Sequence, residues 1–156
     1  MPSSSSRTSI PSPIRTRRLA SGMTPDRGLI DTSVAIALEV LDPVRLPSEV
    51  AISALTLAEL SSGPITARTP EARAQRQDHL QRIEANIESL DFGPSCARAY
   101  GRICAATSQV GRRARGARAV DLMIAATALA HGLPLYTLNA ADLRGLDDLI
   151  EIVDLT

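Results

Sequence analysis

Residues 28–33 read Gly28-Leu29-Ile30-Asp31-Thr32-Ser33. A short apolar run that ends on a carboxylate and passes into two hydroxyl residues has the form of a buried strand followed by a helix. The helix is expected over residues 32–40, and Pro43 and Pro47 punctuate the connection after it. An acid beside an apolar run incurs a desolvation penalty if it is buried there, so Asp31 needs a partner. Three further acids share that setting. Glu59 lies in Leu57-Ala58-Glu59-Leu60, Asp121 opens Leu122-Met123-Ile124-Ala125-Ala126, and Asp142 follows Leu138-Asn139-Ala140-Ala141. The chain has no Lys to pair with them, because all 17 of its basic residues are Arg. Four such acids point to a divalent cation, and an oxygen-only donor set suits Mg²⁺, with Mn²⁺ as the alternative.

The elements alternate along the chain. Strands are expected at 28–31, 50–53, 135–138 and 149–153. Helices are expected at 56–62, stopped by Gly63-Pro64, then at 70–90, 94–110 and 120–131, with a turn of helix at 140–144. Leu80, Ile83, Ile87 and Leu90 recur at spacings of three and four, and Gly132 with Pro134 closes the helix that ends at His131. Strands alternating with helices imply an α/β fold with a mainly parallel sheet. In such sheets, sites form beyond the carboxyl ends of the strands, where Asp31, Asn139 and Asp142 fall. Asp121 reads as the start of its helix, so a plain helix cap is its competing reading.

Composition narrows the classes. At 156 residues and 44% hydrophobic content the chain is about one ordinary domain. Lacking Lys, it cannot be a P-loop NTPase, a Schiff-base enzyme, or an aspartate phosphochemistry protein of the receiver or haloacid-dehalogenase type. Its aromatic residues are Phe92, Tyr100 and Tyr136, too few for broad base stacking.

Residues 1–22 hold four Arg and no acid, so the remainder carries 13 Arg against 17 acids, a net of −4. An acidic domain meets a polyanion through a local basic patch or through a metal. Arg112, Arg113, Arg115 and Arg118 form such a run ahead of Asp121; a solvated loop is their competing reading. His79 and His131 carry no motif and read as surface or helix-end residues.

Residues 1–22 read as a disordered Ser/Pro/Arg-rich tail, or as sequence upstream of a start at Met23; Pro11 and Pro13 interrupt any amphipathic transit helix. Residues 23–156 form the domain. Deleting 1–22 is expected to leave folding and activity intact, and a thermal midpoint lowered by more than a few degrees would count against this. Cys96 and Cys104 stand eight residues apart on one helix, about 12 Å along its axis, too far to pair. Two buried thiols suit a reducing cytoplasm, and no apolar run is long enough to span a membrane.

The local words together resemble a known family. Leu29-Ile30-Asp31-Thr32-Ser33, Glu59-Leu60-Ser61-Ser62-Gly63, Asp121-Leu122-Met123-Ile124-Ala125-Ala126-Thr127-Ala128 and Thr137-Leu138-Asn139-Ala140-Ala141-Asp142 occur in the order and spacing of the PIN-domain ribonucleases, in particular the VapC-type toxins of bacterial toxin–antitoxin pairs. The resemblance covers roughly residues 27–155. It departs at Leu143, where the family often has Phe. It implies a three-layer α/β/α PIN-like domain and a metal-dependent endoribonuclease toxin neutralised by a VapB-type antitoxin; the fourth acid varies within the family, so the last metal contact falls to Asp142 or to Asn139.

 Under that resemblance Asp31, Asp121 and Asp142 hold the metal and Glu59 completes the catalytic set. Thr32, Ser33, Thr137 and Asn139 support it, and the Arg run contacts RNA. The helices over 70–110 would offer apolar stripes to the antitoxin or to a homodimer partner. A structure-selective DNA nuclease or other metal-dependent phosphohydrolase using the same carboxylates, and a catalytically silent binding module, stay open at this point.

Overall fold

The structure, a computed structural model, describes residues 26–111 and 115–156. Expectations about residues 1–22, and about Arg112 and Arg113, lie outside the described residues. Five strands, β1 (Arg27–Ile30), β2 (Glu49–Ser53), β3 (Glu88–Leu90), β4 (Leu135–Thr137) and β5 (Ile152–Asp154), form one sheet in the order β3-β2-β1-β4-β5, every pair parallel. Five α-helices connect them: α1 (Thr32–Ala37), α2 (Ala54–Thr66), α3 (Pro70–Asn86), α4 (Pro94–Gln109) and α5 (Ala117–His131).

Alternate residues of each central strand enter different cores. Leu29, Ala51 and Leu135 pack with α4 and α5, whereas Ile30, Ile52 and Tyr136 pack with α1, α2 and α3. Both sheet faces are therefore covered, which is why the strands read as unbroken apolar runs. The strand order explains the layering. The chain steps from β1 to β2 to β3 in one direction, then returns to the other side of β1. Right-handed crossovers running in opposite directions lie on opposite faces of the sheet. The result is the expected three-layer α/β/α arrangement.

Several expected boundaries are corrected. The helix expected over 70–90 ends at Asn86, and β3 follows as an edge strand. Ile87 and Leu90 fit a helical stripe by spacing, yet they pack in the two different cores, which one stripe cannot do. Gly63-Pro64 does not stop α2, which continues to Thr66. Arg76 on α3 donates to the Gly63 carbonyl at 2.9 Å, and the Thr66 hydroxyl also reaches it at 3.2 Å. These contacts satisfy a carbonyl of the last turn, which a proline-containing helix end would otherwise leave exposed.

The helix pair expected over 70–110 is divided by the sheet: α3 packs on α2, and α4 on α5. It therefore makes no shared groove. The last strand begins at Ile152 rather than Leu149, and α1 ends at Ala37 rather than Val40. His79 on α3 meets the carbonyl of Ala35 at 2.9 Å and so helps to close the short α1. Both cysteines are free on α4; Cys96 is buried, but Cys104 is only half-buried. Among the described residues no helix is long and apolar enough to cross a membrane.

Candidate active site

The reversal of strand order places β1 beside β4, and the carboxyl ends of these two strands carry the site. The backbone N–H of Asp31 donates to the carbonyl of Tyr136 at 3.1 Å, which brings residue 31 next to Thr137 across 106 positions of sequence. Asp31 also caps α1. Its Oδ1 accepts from the backbone of Val34 at 3.0 Å and from the hydroxyl of Ser33 at 2.6 Å, and its Oδ2 accepts from Thr137 at 2.5 Å. Ser33 in turn accepts from the backbone of Leu138 at 3.1 Å, and Thr137 from that of Asn139 at 2.9 Å. The carboxylate is thus held from two elements at once.

Asp31, Asp121 and Asp142 line one cavity of about 100 Å³, together with Ser33, Thr137 and Asn139. Leu135 and Leu143 complete its walls. Leu143, the departure from the resemblance noted above, is buried in the core beneath α4 and α5. Glu59 does not line the cavity. It projects from α2 and accepts from the hydroxyl of Thr32 at 2.6 Å. Thr56, whose importance the sequence reading missed, is fully buried with its hydroxyl 3.3 Å from that of Thr32. Its only signal was a polar residue early in an amphipathic helix.

Asp121 departs from the cap reading. Gly116 is the N-cap of α5, and Asp121 lies in the helix's second turn, beyond the free N–H groups. Its carboxyl is pushed up to about 6, first by burial and then by the negative charges of Glu59, Asp31 and Asp142, with Arg118 opposing. A helix terminus would do the reverse and favour the charged form. Asp121 therefore feels the other three acids, although they come from other parts of the fold.

The donor set suits a small hard cation, since every polar side chain among the lining residues offers oxygen, Asn139 carrying an amide nitrogen as well. Among the described residues no three His, Cys, Asp or Glu side chains stand close enough to grip one ion together. Ser33 and Thr137 hold Asp31 in place, and Thr32 holds Glu59. Mg²⁺ keeps several of its waters and needs only one or two direct carboxylates, so this spacing accommodates it.

The basic run is only partly described. Arg115 is exposed, whereas Arg118 is half-buried on α5.

The comparisons agree with this geometry. The family model for the PIN domain matches residues 29–148. Ribonuclease VapC5 of Mycobacterium tuberculosis is 40% identical over 117 residues, covering 73% of this chain and 84% of that protein. Ribonuclease VapC4 of the same organism is 35% identical over 114 residues, covering 71% of this chain and 85% of the relative. The crystal structure of the VapBC-5 member of the VapBC toxin–antitoxin family, also from M. tuberculosis, superposes with a TM-score of 0.71 at 38% identity, covering 83% of this chain and 99% of that one. Family match, strand order and the cleft at β1 and β4 converge, and the chain belongs to the PIN-domain family as a toxin of the VapC type.

Proposed function

We propose that the chain is a Mg²⁺-dependent endoribonuclease, with Mn²⁺ able to substitute, held in check by a VapB-type antitoxin. The observation that carries this reading is the meeting of Asp31, Asp121 and Asp142 on one cavity, with Asp121 pushed up to about 6 by burial and by its acidic neighbours. A bound divalent ion would lower the pKa of a coordinated water and offset charge on the phosphate. Asp31, Asp121 and Asp142 would hold it, one or two of them directly and the rest through its waters.

The chain's own groups set the geometry. Ser33 and Thr137 fix the Asp31 carboxylate, so its orientation does not depend on the ion. Thr32 orients Glu59, which stands outside the cavity, where it can meet a metal-held water. Asn139 at the cavity presents an amide to the substrate phosphate or to the last metal position beside Asp142. Cleavage of RNA and of DNA of the same sequence, each with EDTA and with Mn²⁺, tests the reading; cleavage that persists in EDTA, or is confined to DNA, overturns it.

The basic run ahead of α5 supplies positive charge for the RNA backbone. Replacing Arg112, Arg113 and Arg115 together with Ala should weaken RNA binding and flatten its salt dependence, by about two in the slope of log K on log salt for a single strand. An unchanged slope would mean a solvated loop.

For partners, the reading extends to the antitoxin and to a second copy of the chain. Ile36, Val40 and Val44, on and after α1, and Ile65 near the end of α2 are exposed apolar side chains that such a partner could cover. Two unpaired thiols on α4 accord with a reducing cytoplasm.

A further inference from the structure

Arg118 differs from the exposed Arg115. It lies three residues before Asp121 on α5, so the two side chains leave neighbouring positions on one face of the helix. Its Nε and Nη2 atoms are shut off from solvent, and among the described residues neither meets a hydrogen-bond acceptor. These two nitrogens form one edge of the guanidinium. Their N–H bonds point the same way and match two oxygens of a single anion.

Among the described residues no carboxylate comes within ion-pairing distance of Arg118. Its charge nevertheless reaches Asp121, where it opposes the effect of burial and of the neighbouring acids. An edge buried without an acceptor is costly as it stands, and a small turn of the side chain that brings it against two oxygens of an anion would relieve that cost.

We propose that Arg118 holds one phosphate of the RNA backbone side-on beside the carboxylate cavity, and so sets the register of the strand at the cleft. This rests on the ribonuclease reading above and deepens it. The surface arginines would give charge alone; the fork at Arg118 gives a fixed orientation. A partner's carboxylate has similar oxygens, but the position one turn from Asp121 favours the phosphate whose ester bond is to be cut.

The test uses the full chain and a labelled single-stranded oligoribonucleotide. Anisotropy is measured over a salt series with Ca²⁺ in place of Mg²⁺, and cleavage is measured with Mg²⁺. Arg118→Ala should lower kcat/KM by about tenfold or more and reduce the salt slope by about 0.7. Arg118→Lys should restore the slope but not the cleavage rate, because an ammonium is a point charge without the fork. The Lys variant also keeps the charge beside Asp121, so it separates lost orientation from a misfolded chain.

The proposal is overturned if Arg118→Ala stays within about threefold of wild type in kcat/KM with an unchanged slope, or if Lys restores cleavage in full. It is equally overturned if the variants lose antitoxin affinity while the RNA slope is unchanged, which would assign the fork to a protein carboxylate. Should the wild type bind the strand and never cut it, the ribonuclease reading fails, while the salt slope still decides the role of Arg118.

Discussion

Asp121→Asn is expected to abolish cleavage and at the same time to raise the melting temperature of the metal-free protein at neutral pH. The carboxyl is pushed up to about 6 in the fold, against 3.8 as its ordinary value. A folded pKa above the unfolded one means that the folded state binds more protons between those two values. Stability conferred by the protonated form is therefore full below about pH 4 and is lost as pH rises to about 6. Above that, the charged group opposes folding. Discounted for the solvent that still reaches a half-buried carboxyl, the opposition is about 1–2 kcal/mol at pH 7, or roughly 5 °C in Tm.

Asn keeps the shape and removes the charge, so it should recover that amount. Mn²⁺ should stabilise the wild type by binding the folded state alone, and this gain should shrink as pH falls through 6. Melting curves in EDTA and in Mn²⁺ at pH 5 and pH 7 measure both effects. A strongly destabilised Asp121→Asn in EDTA, with no Mn²⁺ shift in the wild type, would make Asp121 a structural residue and remove the metal site.

Gly28→Ala should destabilise the fold by about 3 kcal/mol and lower Tm by about 10 °C. A methyl group at residue 28 would stand 2.4 Å from Cε2 and 2.9 Å from Cδ2 of Tyr136, and 3.1 Å from Cγ of Pro47. Tyr136 is fully buried in β4, the strand paired with β1, so its rigid ring has no open space to move into. Gly101→Ala on α4 is the control. Nothing stands within 4 Å of a Cβ there, and the change should raise stability by about 0.5–1 kcal/mol through helix propensity. Thermal or urea unfolding of both variants decides the matter; a Gly28→Ala protein as stable as wild type would mean that β1 and β4 can part without loss.

Much of this was legible in order along the chain. Apolar runs covered on both faces declare a parallel sheet, and the acids beside them are conspicuous because each is costly to bury there. That much of Asp31, Glu59, Asp121 and Asp142 needs only neighbours in sequence. Hydrophobic period also places the central helices, and Gly132 in the left-handed conformation ends α5 as its position suggests.

Other features depend on residues far apart. Leu90 continues the spacing of Leu80 and Ile83, and only pairing with β2 turns it into a strand residue. Pro64 reads as a stop until Arg76 of α3 satisfies the helix end. Asp121 looks like a cap until α5 is seen to begin at Gly116. The hydroxyl partners of Asp31 come from residues 33 and 137, which meet because the strand order sets β4 against β1. Sequence alone determined which groups could do chemistry, because residue type and local burial are properties of a short window. The tertiary structure alone decided which of them share a cavity and which nitrogens of Arg118 are left without a partner among the described residues, because strand order and helix packing join positions that no local pattern connects.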